Sequence, residues 1–325
     1  MNLEMHFFID GPQLTQQLNP EWKIRYTKNV CRQEEIVTAI CFAENNHISD
    51  EGLIRPALIE QAILENLRSL SVGITYCSKE ADGQIAKFVQ DNKQIVLSVL
   101  SRDSDFLIFE EIPYTPWELF DIYHNLSFSD QAGVNEITLG RFNSSRLCKF
   151  LKITHNKLIQ LTVLRGNDFS KYLVREKYRH LFRELTIESC AHILGKSSDL
   201  NQISTWKELC RNEPEARDFL KSSISFYKLL DLKAENIQSP LLESQTCKHL
   251  WSNYELGKLS SQLVGMCYGV FWHRIILEKP FGTKTIDKSM EYIRSFLYGI
   301  FLQKDIVFVS EQGGVSNATV IGYYL

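Results

Sequence analysis

The sequence predicts an α/β fold in which helices flank a parallel sheet, followed by a mainly α-helical C-terminal region. Short apolar segments alternate with segments of helical periodicity over the first part of the chain. This alternation favours parallel strands, because parallel neighbours need a crossover connection that is usually helical. Beyond about residue 175 the periodicity is helical, with charged faces and few glycines or prolines. We therefore predict two domains, one over residues 1–174 and a helical one over residues 175–325.

The first predicted element is a short buried strand, MHFFID, which ends at Asp10. A helical segment with a basic face follows at about residues 20–44. The next predicted helix starts with the polar residues SDE at 49–51, and its apolar residues recur at helical spacing through Leu70. The strand VGITYC and a helix that begins near Ala81 follow, which completes a strand, helix, strand, helix order.

The third predicted strand is IVLSVL, residues 95–100, whose lack of alternation suits a strand covered on both faces. A turn-rich link with Pro113 and Pro116 comes next. Two helical segments then lead to Gly166 and Asp168, and two late segments, KDIVFVS and ATVIGYYL, have the pattern of strands. Ligands collect at the carboxyl ends of the strands in a parallel sheet, so the residues directly after the strands are the candidates for function.

The composition excludes several classes of protein. The 325-residue chain has 44% hydrophobic residues, enough for a core, and its formal net charge of −3 gives no global basic field. Its eight cysteines form no C-x-x-C pair, and the N-terminal residues lack the apolar region of a signal peptide. The longest apolar run, Leu263–Trp272, is too short for a bilayer and predicts a buried helix. We expect an intracellular protein, nuclear or cytoplasmic, with free thiols and no membrane partner.

Acidic residues follow three of the predicted strands, and one more closes a helical segment. Several carboxylates in one pocket raise each other's pKa, and hard divalent cations relieve this repulsion. A lone aspartate after a strand is more often a solvated turn or a helix cap, and Asp-x-Asp pairs also serve glycosyltransferases and aspartyl-phosphate phosphatases. The joint pattern favours a two-ion site of the kind that hydrolyses phosphodiesters. Its residues are Asp10, Glu80, Asp82, Asp103, Asp105 and Asp168.

Three segments resemble ordered motifs of the flap-endonuclease/XPG superfamily, namely SKEADGQIAKF, VLSRDSDFLIF and LRGNDF. They are most similar to the motifs of its Asteroid branch, and HFFIDG resembles an earlier strand of that family, which ends in Asp-Gly. The resemblance covers roughly residues 5–170. The Ser-Asp-Ser-Asp-Phe core is fairly specific, although Arg102 separates Ser101 from Asp103 in this chain, whereas Gly-Asn-Asp alone is weak.

The resemblance implies a PIN-like sheet and a nuclease site with two Mg²⁺ or Mn²⁺ ions. By motif, the six acids named above would be metal ligands or would lie beside the ligands. The family also has a basic helix after Asp-Gly that grips the scissile phosphate, and a solvated helix surface is the alternative interpretation of the matching residues here. Those residues are Lys23, Arg25, Lys28 and Arg32. The implied partner is DNA, branched or with single-stranded overhangs, in DNA repair or processing.

The sequence departs from the family pattern at two places. The opening Met-Gly-Ile and the first strand with its aspartate are missing, so the resemblance implies an N-terminally incomplete nuclease domain. A missing central strand would leave its neighbours unpaired, and the two late strand-like segments are candidates to fill the gap. After Asp168, FSKYLVREKYRHLFREL lacks the Gly-x-Gly signature of a duplex-holding helix-turn-helix, as the Asteroid branch does. Its basic residues predict either a nucleic-acid surface or a solvated helix face.

Two functions remain open from the sequence. The first is a divalent-metal-dependent, structure-selective DNA endonuclease of the Asteroid/XPG type. The second is a catalytically inactive nuclease-like scaffold that binds nucleic acid or protein. The six acids favour the first function, and the missing first motif favours the second.

Overall fold

The computed structural model describes a mixed α/β chain whose contacts divide into two compact units. The first unit combines Met1–Ala81 with Ile237–Leu325, and the second is Asp82–Asn236. The predicted basic helix at 20–44 lies outside the residues that the structure describes. Those residues are 4–12, 59–119, 140–229 and 245–266, together with the backbone of 306–311 and 318–323.

The first unit contains a parallel pair of strands, β1 (His6–Ile9) and β2 (Gly73–Tyr76), with helix α1 (Ile59–Ser69) directly before β2. Both strands lie where the sequence predicts them, and α1 covers the described part of the predicted helix. The strands are half-buried rather than buried, and His6 is exposed. The prediction of a buried first strand is therefore wrong in its burial.

The chain that follows β1 is packed tightly against the chain that follows β2. Cys77 donates its N–H to the carbonyl of Ile9 at 2.9 Å, and Gly11 donates its N–H to the carbonyl of Lys79 at 2.7 Å. A Cβ added at Gly11 would lie 2.5 Å from both the Cys77 oxygen and the Lys79 nitrogen. The glycine of the Asp-Gly pair is therefore required by this close approach of two backbones.

Helix α2 (Ala81–Asp91) leads to a second parallel pair, β3 (Val99–Ser101) and β4 (Tyr114–Pro116). The strand predicted at 95–100 is wrong in its bounds, because the strand begins later and Ile95 is 76% exposed. Strand β4 falls in the predicted turn-rich link. Its proline is tolerated because it ends a short strand in a sheet of two strands.

The two parallel pairs are separate two-stranded sheets. The prediction that the three early strands form one sheet is therefore not met by the described strands. Their hydrogen bonds run from β1 to β2 and from β3 to β4, with no bridge between the pairs in the part of the chain described. The parallel direction, which the strand and helix order predicts, is observed in both pairs.

The helices of the second unit pack around a core that includes the fully buried Leu158, Leu194, Leu209 and Trp206. This core draws on helices from both sides of residue 174, so the units do not divide at the predicted domain boundary. The helices are α3 (Ser144–Leu151), α4 (His155–Arg165), a π-helix (Tyr172–Lys177), α5 (Arg179–Phe182), α6 (Ile187–Lys196), α7 (Ser204–Asn212) and α8 (Ala216–Tyr227).

The C-terminal elements of the first unit are two helices and two strands. The two late strand-like segments are confirmed as strands, and they pair with each other in antiparallel register. Among the described strands neither pairs with β1 or β2, so the structure does not place them in the predicted gap. The elements are α9 (Gln245–Glu255), α10 (Ser261–Met266), β5 (Ile306–Glu311) and β6 (Ala318–Tyr323).

Two further findings concern the described residues alone. No helix there has both the length and the apolar character needed to cross a bilayer. Four of the five described cysteines are buried. The five are Cys77, Cys148, Cys190, Cys210 and Cys247.

Candidate functional site

The turn after β3 carries Asp103 and Asp105, the two acids of the segment VLSRDSDFLIF. Asp103 is exposed and is the N-cap of a short 3-10 helix (Ser104–Leu107), because its Oδ1 accepts the N–H of Asp105 at 2.9 Å. The Oγ of Ser101 in turn accepts the N–H of Asp103 at 3.0 Å. One oxygen of Asp103 therefore has the helix-cap role that is the plain alternative to metal binding.

Asp105 is half-buried and lies beside a buried hydroxyl. The Oη–H of Tyr227 donates to Oδ2 of Asp105 at 2.6 Å. Burial raises the pKa of Asp105 to about 6, the Tyr227 hydrogen bond opposes this rise, Asp103 and Asp168 add to it, and the positive Lys171 opposes it. The charges of Asp103 and Asp168 therefore both disfavour ionisation of Asp105, as expected for carboxylates that repel one another.

Tyr227 ends helix α8 and is fully buried. Its ring packs edge-on against Phe109, with ring centroids 5.3 Å apart, and it contacts Phe226 in the same way at 5.2 Å. Burial raises the pKa of the Tyr227 phenol far above its ordinary value, and the negative charge of Asp105 adds to this. The phenol therefore stays protonated and acts as a hydrogen-bond donor to Asp105.

Asp168 lies on the turn that follows helix α4. Gly166 ends this helix in the left-handed region, with φ of 83°, which favours glycine. The buried Asn167 then holds the turn: its Oδ1 accepts the N–H of Phe169 and of Ser170, each at 3.1 Å. Asp168 itself is exposed, between a fixed asparagine and the start of the π-helix.

A second set of hydrogen bonds ties this turn to helix α8. The Nδ2 of Asn167 donates to Oγ of Ser223 at 2.8 Å, and Ser223 is fully buried. The hydroxyl of Ser170 donates to the carbonyl of Val163 at 2.8 Å. The Gly-Asn-Asp motif is therefore built as a rigid turn whose only acidic side chain faces solvent.

The remaining predicted acids lie at the start of helix α2. Asp10, in the first unit, accepts the N–H of Ala81 through Oδ1 at 2.8 Å. Glu80 is exposed just before the helix, and Asp82 is half-buried in its first turn. Carboxylates at these positions are favoured by the unpaired N–H groups and the positive end of the helix dipole.

The predicted phosphate-binding residues Lys23, Arg25, Lys28 and Arg32 lie outside the described residues. The basic segment after Asp168 is described, and part of it is engaged within the second unit. Lys177 forms an ion pair with Glu213, and the Nε of Arg175 donates to the carbonyl of Arg165 at 2.8 Å. These contacts agree with a structural role for the two side chains in the helical packing.

Asp103, Asp105 and Asp168 fit a hard divalent cation in their chemistry, because carboxylate oxygens are the ligands that Mg²⁺ prefers. A cation would also relieve the repulsion at Asp105. Among the described residues, however, no three or more His, Cys, Asp or Glu side chains lie close enough to one another to bind a single ion. Mg²⁺ commonly uses one or two protein carboxylates and completes its shell with waters and substrate phosphates. An ion bound to the described residues would therefore have at most two ligands from these four types of side chain.

A search against models of known protein families and a search of curated proteins both gave no match for this chain.

The sequence did not single out Tyr227 and Ser223, which contact the predicted site from helix α8. Helical periodicity places both on one face, and a buried tyrosine usually finds a hydrogen-bond partner for its hydroxyl. These two features of the sequence predict that the face of α8 makes a buried polar contact. The partner of Tyr227 lies 122 residues earlier in the chain, and no spacing rule links the two.

Proposed function

We propose that this protein is a divalent-metal-dependent, structure-selective DNA endonuclease of the Asteroid/XPG type. The observation that supports the proposal is that Asp103 and Asp168 both raise the pKa of the half-buried Asp105, whose Oδ2 accepts a hydrogen bond from Tyr227. Two separate motifs of the resemblance supply these acids, one after β3 and one after α4. A PIN-like sheet and a nuclear or cytoplasmic location belong to the same proposal, and the parallel direction of both strand pairs agrees with such a sheet.

In this proposal Asp103, Asp105 and Asp168 hold Mg²⁺ or Mn²⁺, and the resemblance implies that Asp10, Glu80 and Asp82 are further ligands or lie beside the ligands. A bound divalent ion would supply Lewis-acid chemistry, by activating water and stabilising the leaving oxygen of a phosphodiester. Asp105 is held in place by the buried Tyr227 hydroxyl. Lys171 adds positive charge near Asp105, which favours the approach of a phosphate.

The test is cleavage of labelled DNA by the full chain. The substrates are a blunt duplex, a duplex with a single-stranded overhang, a flap and a single strand, each with Mg²⁺, Mn²⁺ or a chelator. We expect cleavage of the overhang or flap substrates with metal. We expect Asp103→Asn to reduce the rate roughly 100-fold or more, because the ion and the charge it stabilises depend on this carboxylate.

Asp199→Asn is the matched control. Asp199 is also the N-cap of a 3-10 helix (Leu200–Gln202), and its Oδ1 accepts the N–H of Asn201 at 2.6 Å. The asparagine should keep a cap of the same kind, as it does in Asp103→Asn, and the variant should cleave like the wild type. Equal cleavage by wild type and Asp103→Asn under Mg²⁺ would contradict the assignment. A chain that cleaves none of the substrates and gains no thermal stability from millimolar Mg²⁺ is instead the nuclease-like scaffold.

A further inference from the structure

We infer that helix α8 (Ala216–Tyr227) positions the acids of the site, with Tyr227 as the positioning residue of Asp105 and Ser223 as the positioning residue of the turn that carries Asp168. The inference rests on the proposed function and adds to it a helix that lies beyond the segments of the family resemblance. It concerns groups that act through the acids and do not themselves touch a substrate.

The first contact is the hydrogen bond from Tyr227 to Asp105. It is short, at 2.6 Å, and its donor is fully buried among aromatic rings. A buried phenol in a close-packed core has few other rotamers available, so its hydroxyl fixes the direction of the carboxylate. The bond is made to Oδ2 of Asp105 and uses one of the two carboxylate oxygens.

The second contact is the hydrogen bond from Asn167 to Ser223. The Oδ1 of Asn167 accepts the N–H groups of Phe169 and Ser170, and its Nδ2 donates to Oγ of Ser223 at 2.8 Å. The hydroxyl of Ser223 in turn donates a hydrogen bond to the carbonyl of Phe219 within α8, at 2.7 Å. An unbroken series of hydrogen bonds therefore links helix α8 to this turn, and it holds the backbone next to Asp168 in place.

Ser223 and Tyr227 are four residues apart and lie on one face of α8, one turn from each other. Phe226 adds an apolar link between the two motifs, because its ring contacts Phe169 with centroids 5.6 Å apart and Phe109 at 5.2 Å. One rigid helix thus holds the turn after β3 and the turn after α4. Outer partners that orient metal-binding side chains are worth about 10–100-fold in metal affinity or activity.

The experiment compares full-length Tyr227→Phe and Ser223→Ala with wild type in two measurements. The first is Mn²⁺ binding without DNA, followed by the electron paramagnetic resonance signal of free Mn²⁺. The second is cleavage of the flap substrate at saturating Mn²⁺. We expect Tyr227→Phe to weaken Mn²⁺ binding about 10-fold and Ser223→Ala to weaken it in the same direction. Tyr227→Phe combined with Asp105→Asn should lose no more than Asp105→Asn alone.

Tyr178→Phe is the matched control, since Tyr178 also donates its hydroxyl to a carboxylate, Glu213, at 2.8 Å. It should bind Mn²⁺ as the wild type does, at a comparable loss of thermal stability. Wild-type binding by both Tyr227→Phe and Ser223→Ala, with Mn²⁺ bound by the wild-type chain, overturns this inference and leaves the proposed function standing. A wild-type chain that neither binds Mn²⁺ nor cleaves DNA overturns both.

Discussion

At the scale of one residue, the negative charge of Asp105 lowers the stability of the folded protein. Its carboxylate is half-buried, accepts a hydrogen bond from a neutral phenol, and is repelled by two other acids. Burial and repulsion raise its pKa to about 6 from 3.8. The folded protein therefore favours the protonated form of Asp105, and ionisation of this group at neutral pH opposes folding.

We predict that Asp105→Asn increases the free energy of unfolding at pH 8 by roughly 1–3 kcal/mol, since the shift from 3.8 to about 6 is about two pKa units. The stabilisation that protonated Asp105 gives is fully present below its unfolded pKa and is lost as the pH rises through about 6. Asparagine can still accept the Tyr227 hydrogen bond and carries no charge. Urea unfolding between pH 4 and 8 in a chelator measures this.

Asp218→Asn is the control for the pH experiment, because Asp218 is an exposed residue of α8 that pairs with Lys221. Exposed pairs contribute little, so its unfolding curve should follow that of the wild type. If Asp105→Asn is no more stable than the wild type at pH 8, the carboxylate is not strained in the folded state.

At the scale of elements, the site depends on how α4 ends and how the next helix begins. Gly166 takes the left-handed conformation and ends α4, and Asn167 accepts the N–H groups of Phe169 and Ser170 just before the next helix begins. The π-helix that follows has one extra residue per turn relative to an α-helix, a distortion often found at functional sites. The direction in which Asp168 projects is fixed by this junction more than by either helix.

We predict that Gly166→Ala destabilises the protein by about 1–2 kcal/mol, because alanine is strained at this φ and its Cβ would lie 3.0 Å from the Cα of Lys171. Gly195→Ala is the matched control in the same unit, since Gly195 lies in α6 and nothing is within 4 Å of an added Cβ. That change should stabilise the helix by up to about 1 kcal/mol. Chemical unfolding of the two variants measures both effects, and equal midpoints would contradict the prediction.

At the scale of the whole molecule, the first unit is assembled from both parts of the chain. The hydroxyl of the buried Tyr254 in α9 donates to the carbonyl of Cys77 at 2.6 Å, and it is 3.2 Å from the carbonyl of Asp10. Tyr254 also packs edge-on against Tyr76 of β2, with centroids 5.6 Å apart. The chain that follows β1 and β2 is thus held by a helix that comes about 170 residues later.

We predict that a chain ending at Asn236 loses the order of β1 and β2. Without α9 the carbonyls of Cys77 and Asp10 lose their buried donor, and the apolar cover of Tyr76 is removed. Hydrogen–deuterium exchange should show fast exchange of peptides from β2, while peptides around Leu158 and Val163 in α4 stay protected by their own core. Tyr254→Phe in the full chain should give a smaller change of the same kind.

The local features of the fold could be predicted from the sequence because each rests on near neighbours. The strand at His6–Ile9 and the helix that ends at Gly166 follow from apolar spacing and from a glycine at the helix end. Strand β4 was missed because Pro116 and the preceding Pro113 are typical of turns, whereas the strand depends on its pairing with β3. The third strand was placed too early because an apolar run does not reveal which of its residues are covered, and Ile95 is exposed.

The sequence by itself determined which residues carry acidic groups, roughly where the strands β1 and β2 lie, and that a helical segment closes near Gly166. Only the tertiary structure decided that Tyr227 meets Asp105 and that Ser223 meets Asn167. It also decided that β3 pairs with β4 apart from β1 and β2. The physical reason is that periodicity and capping act over a few residues, whereas a buried hydroxyl finds its partner only when distant helices pack.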